Sequence, residues 1–201
     1  MHESLKKLVE GNRRFAEGKS LHPNRSEELR SALLDGQTPY AVVISCSDSR
    51  VPVEIIFDVG LGDIFVIRTA GHVLSNETMG SLEYAVRELG VKFIIIMGHD
   101  NCGAVKSAMN AYKAGEELTP NLKALLNHFY PVFEQMDEEG QTSLEDAIKL
   151  NIKYQVEDLL KKDIYIAQKV SENKIMVVGA KYSLDTGLVD IIKQTNYEDA
   201  C

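Results

Sequence analysis

The sequence predicts an α/β fold: a mostly parallel central β-sheet flanked by helices, with an N-terminal helical arm. Three observations predict it. Four short runs rich in Val, Ile or Phe, each bounded by turn residues, have the length and composition of strands. These runs are nearly continuous in apolar residues, as expected when both faces of a sheet are covered. Helical patterns lie between them, and strands alternating with helices imply right-handed crossovers and parallel pairing.

In chain order, residues 1–35 read as two amphipathic helices before any strand, an arm expected to pack on a partner subunit. Residues 36–201 then form the α/β domain. Its first strand is Tyr40–Ser45 and its second Asp63–Arg68. Asn76 is placed to cap a helix running to Leu89, with Leu82, Ala85, Val86 and Leu89 on one face and Gly90 as its stop. The third strand is Lys92–Met97, and a helix follows Gly103 and ends at Gly115. Thr142 and Glu145 form a capping-box pattern before a long helix, Leu144–Lys161, striped by Leu144, Ile148, Ile152, Val156 and Leu159. Asn151 and Gln155 lie beside that stripe, which is unusual for pure core. The fourth strand is Lys174–Gly179.

Composition narrows the function. A chain of 201 residues, 44% hydrophobic and 26% charged, suits a globular domain with a sizeable core. The net charge of -8 and the scattered Lys and Arg residues argue against a nucleic-acid partner. The longest apolar run, Phe93–Gly98, is strand-sized, so no membrane span is expected. The polar N-terminus lacks a signal-peptide core, which points to the cytoplasm. In that reducing compartment three cysteines are better read as metal ligands or free thiols than as disulfides.

The chemistry-bearing residues sit where strands end. The first strand runs into Cys46-Ser47-Asp48-Ser49-Arg50, and the third into Gly98-His99-Asp100-Asn101-Cys102-Gly103. Sites in open parallel sheets form beyond the carboxyl ends of strands, so the two turns can meet. His99 and Cys102 reach one ion from a turn entering a helix, whose N-terminus favours thiolate at Cys102. Cys46 adds a third ligand. Two thiolates and one imidazole suit tetrahedral Zn²⁺, and three protein ligands leave a fourth position open for catalysis.

Zinc with two thiolates and a neutral imidazole is formally neutral, so it acidifies water less than a tris-imidazole site. Asp48 is placed to accept a hydrogen bond from hydroxide there, and Arg50 to hold Asp48 ionised through a bidentate pair. Without Arg50 the carboxyl would protonate, or Asp48 would become a fourth ligand and close the site. Taken singly, Cys46 is a core thiol and Asp48–Arg50 a structural ion pair; their joint placement favours the metal site.

The CSDSR and HDNCG segments resemble the Cys-x-Asp-x-Arg and His-x-x-Cys signatures of β-class carbonic anhydrases. GNRRFAEG, RVPVEIIFDVGLGDIFVIRTAG, NIKYQV and VVGAKYSLDTGLV look like further landmarks of that family. The resemblance implies a Zn²⁺ enzyme in which hydroxide on the metal attacks CO2 to give bicarbonate and a proton. It implies Cys46, His99 and Cys102 as metal ligands and Asp48 and Arg50 as catalytic residues. It also implies a small pocket of Gln37, Val51, Phe65, Tyr84 and Gly103. The glutamine and one or both aromatics come from the partner chain in that family, so a homodimer or homotetramer is implied.

The sequence departs from the pattern in two places. Many relatives read Arg-Asn-Ala-Gly-Asn where this chain has Arg68-Thr69-Ala70-Gly71-His72, which makes His72 a candidate proton shuttle. The regulatory bicarbonate pocket of one branch uses Trp, Arg and Tyr; Arg68 and Tyr182 match, but the chain has no Trp. Three other functions compete. The same zinc site suits hydrolysis of carbonyl sulfide or carbon disulfide. A non-catalytic zinc or redox protein would need Cys201 as a further ligand or resolving thiol. A nucleotide-binding domain lacks both the Gly-x-Gly-x-x-Gly and the Walker A loop here.

Overall fold

The computed structural model describes residues 2–115 and 118–195. The apolar runs form β1 (Ala41–Cys46), β2 (Ile64–Thr69), β3 (Phe93–His99) and β4 (Met176–Tyr182), all paired in parallel. A fifth strand, β5 (Val189–Gln194), pairs antiparallel with β4, giving the order β2-β1-β3-β4-β5. β5 was not legible in the sequence. Its residues, VDIIKQ, are only half buried at the sheet edge, so no continuous apolar run marks it.

Each predicted strand is present, displaced toward its C-terminus by one or two residues at the start. β3 continues through Gly98 to His99 because its ladder with β4 continues to the pair His99–Tyr182.

The sheet has an apolar cluster on each face. One holds Val42, Ile44, Ile94, Ile96 and Val177 against α4 (Asn76–Arg87), α8 (Leu144–Lys162) and α9 (Ile164–Ser171). The other holds Val43, Ile95 and Val178 against α1 (Glu3–Ala16) and α3 (Val53–Ile56). A third cluster joins α5 (Gly103–Ala114), α7 (Tyr130–Glu139) and α8, with the short α6 (Pro120–Leu126) beside it. Full burial of each large aliphatic side chain contributes about 1.5–3 kcal/mol, which makes these faces the main source of stability.

Two predicted caps move by one residue. Ser75, not Asn76, caps α4 by accepting from Thr78 N–H. Ser143, not Thr142, caps α8 by accepting from Asp146 N–H, and its hydroxyl donates to Asp146 Oδ2. Glu145 is thereby freed to reach Lys181.

The first of the two N-terminal helices, α1, lies on its own domain. Leu5 and Leu8 enter the second cluster, and Ser4 Oγ donates to Tyr40 O at 2.9 Å. Asn12 Nδ2 donates to Ile56 O and Gly187 O, while its Oδ1 accepts from Val189 N–H. The second, α2 (Glu27–Ala32), is a six-residue helix with no buried residue.

Candidate active site

In the order β2-β1-β3, the chain leaves β1 to one side and later returns to the other. The carboxyl ends of β1 and β3 therefore flank the topological switch point, where ligands bind in open α/β sheets. Ser45 pairs with Met97, so Cys46 and His99 leave neighbouring strands at nearly the same level. Asn101, with φ of 51°, supplies the left-handed residue that turns the chain back, and Cys102 becomes the N-cap of α5.

The ligand atoms of Cys46, His99 and Cys102 all lie within 4.8 Å of one another. All three residues are buried, with exposures of 4%, 0% and 1%. The two sulfurs are 3.9 Å apart and both cysteines are free. Tetrahedral zinc at about 2.3 Å from each sulfur sets the sulfurs about 3.8 Å apart, so the spacing fits that ion. His99 Nδ1 lies 2.8 Å from Asp100 O, which assigns its proton there and turns the Nε2 lone pair inward. That Nε2 is buried with no hydrogen-bond partner among the described residues, a cost that a coordinated cation removes.

The sulfurs share a proton unequally. Cys46 is held well below the ordinary thiol range, first by the hydrogen bond from Cys102, against its burial, and then by His99 and the N–H groups of Gly71 and Asp48. Those N–H contacts to sulfur are 3.3 Å and 3.4 Å. Cys102 is pushed up by the same Cys46 sulfur and by burial.

Asp48 and Arg50 stand at the edge of this cluster. Arg50 donates Nε to Oδ1 at 2.9 Å and Nη2 to Oδ2 at 2.7 Å, and its N–H also donates to Oδ1. The hydrogen bonds from the Arg50 side chain keep the Asp48 carboxyl far below the usual carboxylate range despite partial burial. Asp48 Oδ2 lies 3.8 Å from His99 Nε2.

The carbonic anhydrase family profile matches residues 41–189. A carbonic anhydrase of Mycolicibacterium smegmatis is 39% identical, over 92% of this chain and 90% of its own. This chain belongs to the β-class carbonic anhydrase family. The fold agrees: the β-carbonic anhydrase CcaA superposes with a TM-score of 0.76 at 28% identity, covering 94% of this chain and 95% of that one. One of two tetrameric β-carbonic anhydrases of Sordaria macrospora shares the fold at 24% identity, with a TM-score of 0.75 over 97% of this chain and 100% of that one.

The family's substrate-pocket positions do not all gather at the donors within one chain. Val51 does lie close in sequence to Asp48, buried, with its N–H on Asp48 O. Gly103 is the exposed first residue of α5, next to Cys102. Gln37 precedes the amino end of β1, opposite the end that carries Cys46, and lines a groove with Leu33, Leu34 and Leu61. Phe65 pairs with Val42, also at the far end, and its ring lies 6.2 Å from that of Tyr84, which is 48% exposed. A six-residue strand spans roughly 17 Å, so these three cannot reach the donors of their own chain.

His72 is no surface shuttle in this structure: it is 1% exposed, and Asn151 Nδ2 donates to its Nε2 at 3.0 Å. Burial lowers its pKa to about 4, which keeps it neutral. Arg68 donates Nε to Cys46 O at 3.0 Å and Nη2 to Asp48 O at 2.7 Å, bracing the backbone that carries both residues. Sequence reasoning missed that role, as it did the ion pairs of Lys181 with Asp100 and Glu145. Partners on three segments distant in sequence from Arg68 and Lys181 leave no local spacing to find. Cys201 lies outside the described residues.

Proposed function

We propose that this chain catalyses the reversible hydration of carbon dioxide to bicarbonate and a proton, with Zn²⁺ held by Cys46 Sγ, His99 Nε2 and Cys102 Sγ. The convergence of these three buried donors, in a chain of the carbonic anhydrase family, carries the reading. The soft donor set, the sulfur spacing and the unpartnered His99 Nε2 all suit that ion.

Zinc, when bound, supplies a Lewis acid that brings the ionisation of a water toward neutral pH. Asp48 Oδ2, 3.8 Å from His99 Nε2, accepts a hydrogen bond from the reacting water, which aims its lone pair at the CO2 carbon. A carbon–oxygen bond forms, one C=O π pair moves onto oxygen, and the water's proton leaves to buffer. Arg50 keeps Asp48 an acceptor by holding it ionised.

Gln37, Phe65 and Tyr84 complete the pocket from a partner chain, so the active species is a homodimer or homotetramer. Their placement at the opposite end of the sheet supports this, as does the tetrameric state named for the Sordaria proteins. The segment 1–35 then packs on the partner through α2 while α1 stays on its own domain. Among the described residues no helix is long and apolar enough to cross a membrane. Two free metal-binding thiols suit the reducing cytoplasm.

Metal content per chain by mass spectrometry and stopped-flow CO2 hydration from pH 6 to 9 test this reading. One zinc per chain with activity is expected, and loss of both in Cys46→Ala, His99→Ala or Cys102→Ala. Turnover without bound metal, or carbonyl sulfide hydrolysed in preference to CO2, overturns it.

A further inference from the structure

Asn151 and Gln155 are fully buried amides on α8, in a buried face otherwise made of Ala, Ile, Val and Leu. Buried amides persist only when their groups are paired. Theirs are paired in one directed chain. Leu74 N–H donates to Gln155 Oε1 at 3.2 Å, and Gln155 Nε2 donates to Asn151 Oδ1 at 3.2 Å. Asn151 Nδ2 then donates to Gly71 O at 3.2 Å and lies 3.0 Å from His72 Nε2. Every contact outside the helix falls on the loop 71–74.

That loop is in an unfavourable conformation. Gly71 has φ of 68°, and His72, which is not glycine, has φ of 50°. A non-glycine residue holds such a backbone only when its surroundings fix it. A Cβ on Gly71 would lie 2.4 Å from Phe129 Cζ, so any other residue would have to displace that buried ring. What the conformation achieves is visible at its other edge, where Gly71 N–H points at Cys46 Sγ at 3.3 Å. Ser47 N–H, on Thr69 O at 3.0 Å, ties the same loop to the chain beyond Cys46.

We infer that Asn151 and Gln155 are positioning residues for the metal centre: through Gly71 O, His72 and Leu74 they aim the Gly71 N–H at the Cys46 sulfur. The inference rests on the metal-site reading above. A hydrogen bond to a coordinating sulfur stabilises its lone pairs, which sets both its donor strength and the energy of its charge-transfer transitions. Groups that orient a ligand in this way are worth about 10–100-fold in metal affinity. His72 is this chain's own part in the device, since its Nε2 accepts from Asn151 across the loop.

The test uses the full-length protein loaded with Co²⁺ and, separately, with Zn²⁺. Gln155→Met removes the partner of Leu74 N–H, and Asn151→Ser removes the contacts to Gly71 and His72. Val156→Ala, in the same helix but outside the relay, is the control for lost stability. Both relay variants are expected to move the sulfur-to-cobalt charge-transfer band to longer wavelength. They are also expected to release zinc to a chelator about 10–100-fold faster. Val156→Ala is expected to lower the unfolding midpoint and leave the band in place. A relay variant that folds, keeps the wild-type band and keeps the wild-type release rate overturns the inference; if Asn151→Ser does not fold, Gln155→Met decides. Absence of the band in the wild-type protein overturns the metal-site reading as well, so the two failures are distinct.

Discussion

Asp48 and Arg50, two positions apart in one turn, meet through a pair of near-parallel hydrogen bonds of 2.9 Å and 2.7 Å. The fork keeps Asp48 ionised and turned toward the donor cluster without being one of the three donors. Asp48→Asn is therefore expected to retain zinc and lose CO2 hydration at neutral pH by about 10²-fold or more. Arg50→Lys is expected to lose activity too, because an ammonium cannot form the planar fork. Metal content and stopped-flow hydration on the same samples check both. Full activity in Asp48→Asn would remove it from the mechanism.

Lys181, on β4, bridges Asp100 and Glu145 at 2.8 Å and 2.7 Å, with its side chain only 15% exposed. Lys181→Met leaves two carboxylates facing each other, and a loss of about 1.5–3 kcal/mol is expected in urea unfolding. Adding Glu145→Gln should recover part of that loss. Strict additivity of the two substitutions would show that they do not interact.

Asp58 ties the loop after α1 to the domain: it accepts from Leu21 N–H and His22 N–H at 2.9 Å each and from Arg14 at 2.6 Å. Burial alone would raise its pKa, but these hydrogen bonds outweigh it and hold it below the ordinary carboxylate value. A group with a depressed folded value contributes its stability above the unfolded value and loses it as pH falls through the folded one. The contribution is thus complete above about pH 4 and disappears below it. Asp58→Asn should be less stable at pH 7 and show a flatter decline between pH 5 and pH 2. Parallel declines for the two proteins would exclude Asp58 as the acid-sensitive group.

Gly11 lies where α1 crosses the end of α3. A Cβ there would stand 1.9 Å from Phe57 O, a backbone atom that cannot swing aside. Gly11→Ala is expected to cost about 1–3 kcal/mol although alanine is the better helix former. A midpoint equal to or above wild type would mean that α1 does not pack so closely on its own domain.

The sequence by itself determined the fold class, four of the five strands among the described residues and the three side chains that converge beyond the strand ends. It could do so because buried parallel strands are continuous apolar runs, and because the donors sit within a few residues of two strand ends. The tertiary structure decided what has no local pattern. β5 is held by a hydrogen-bond ladder and by Asn12 on α1, with only Val189 and Ile192 half buried against the core clusters. Ser75 and Ser143 won their caps because each side chain accepts from an N–H three residues on, a choice that neighbouring polar residues leave open in the sequence. Asn151 and Gln155 were visible only as an anomaly in a helix stripe. Their partners lie about eighty positions away, and only the folded chain brings Gly71, His72 and Leu74 against them. Gln37, Phe65 and Tyr84 stand at the wrong end of their own sheet, because a strand's length separates its two ends however the residues are spaced in sequence.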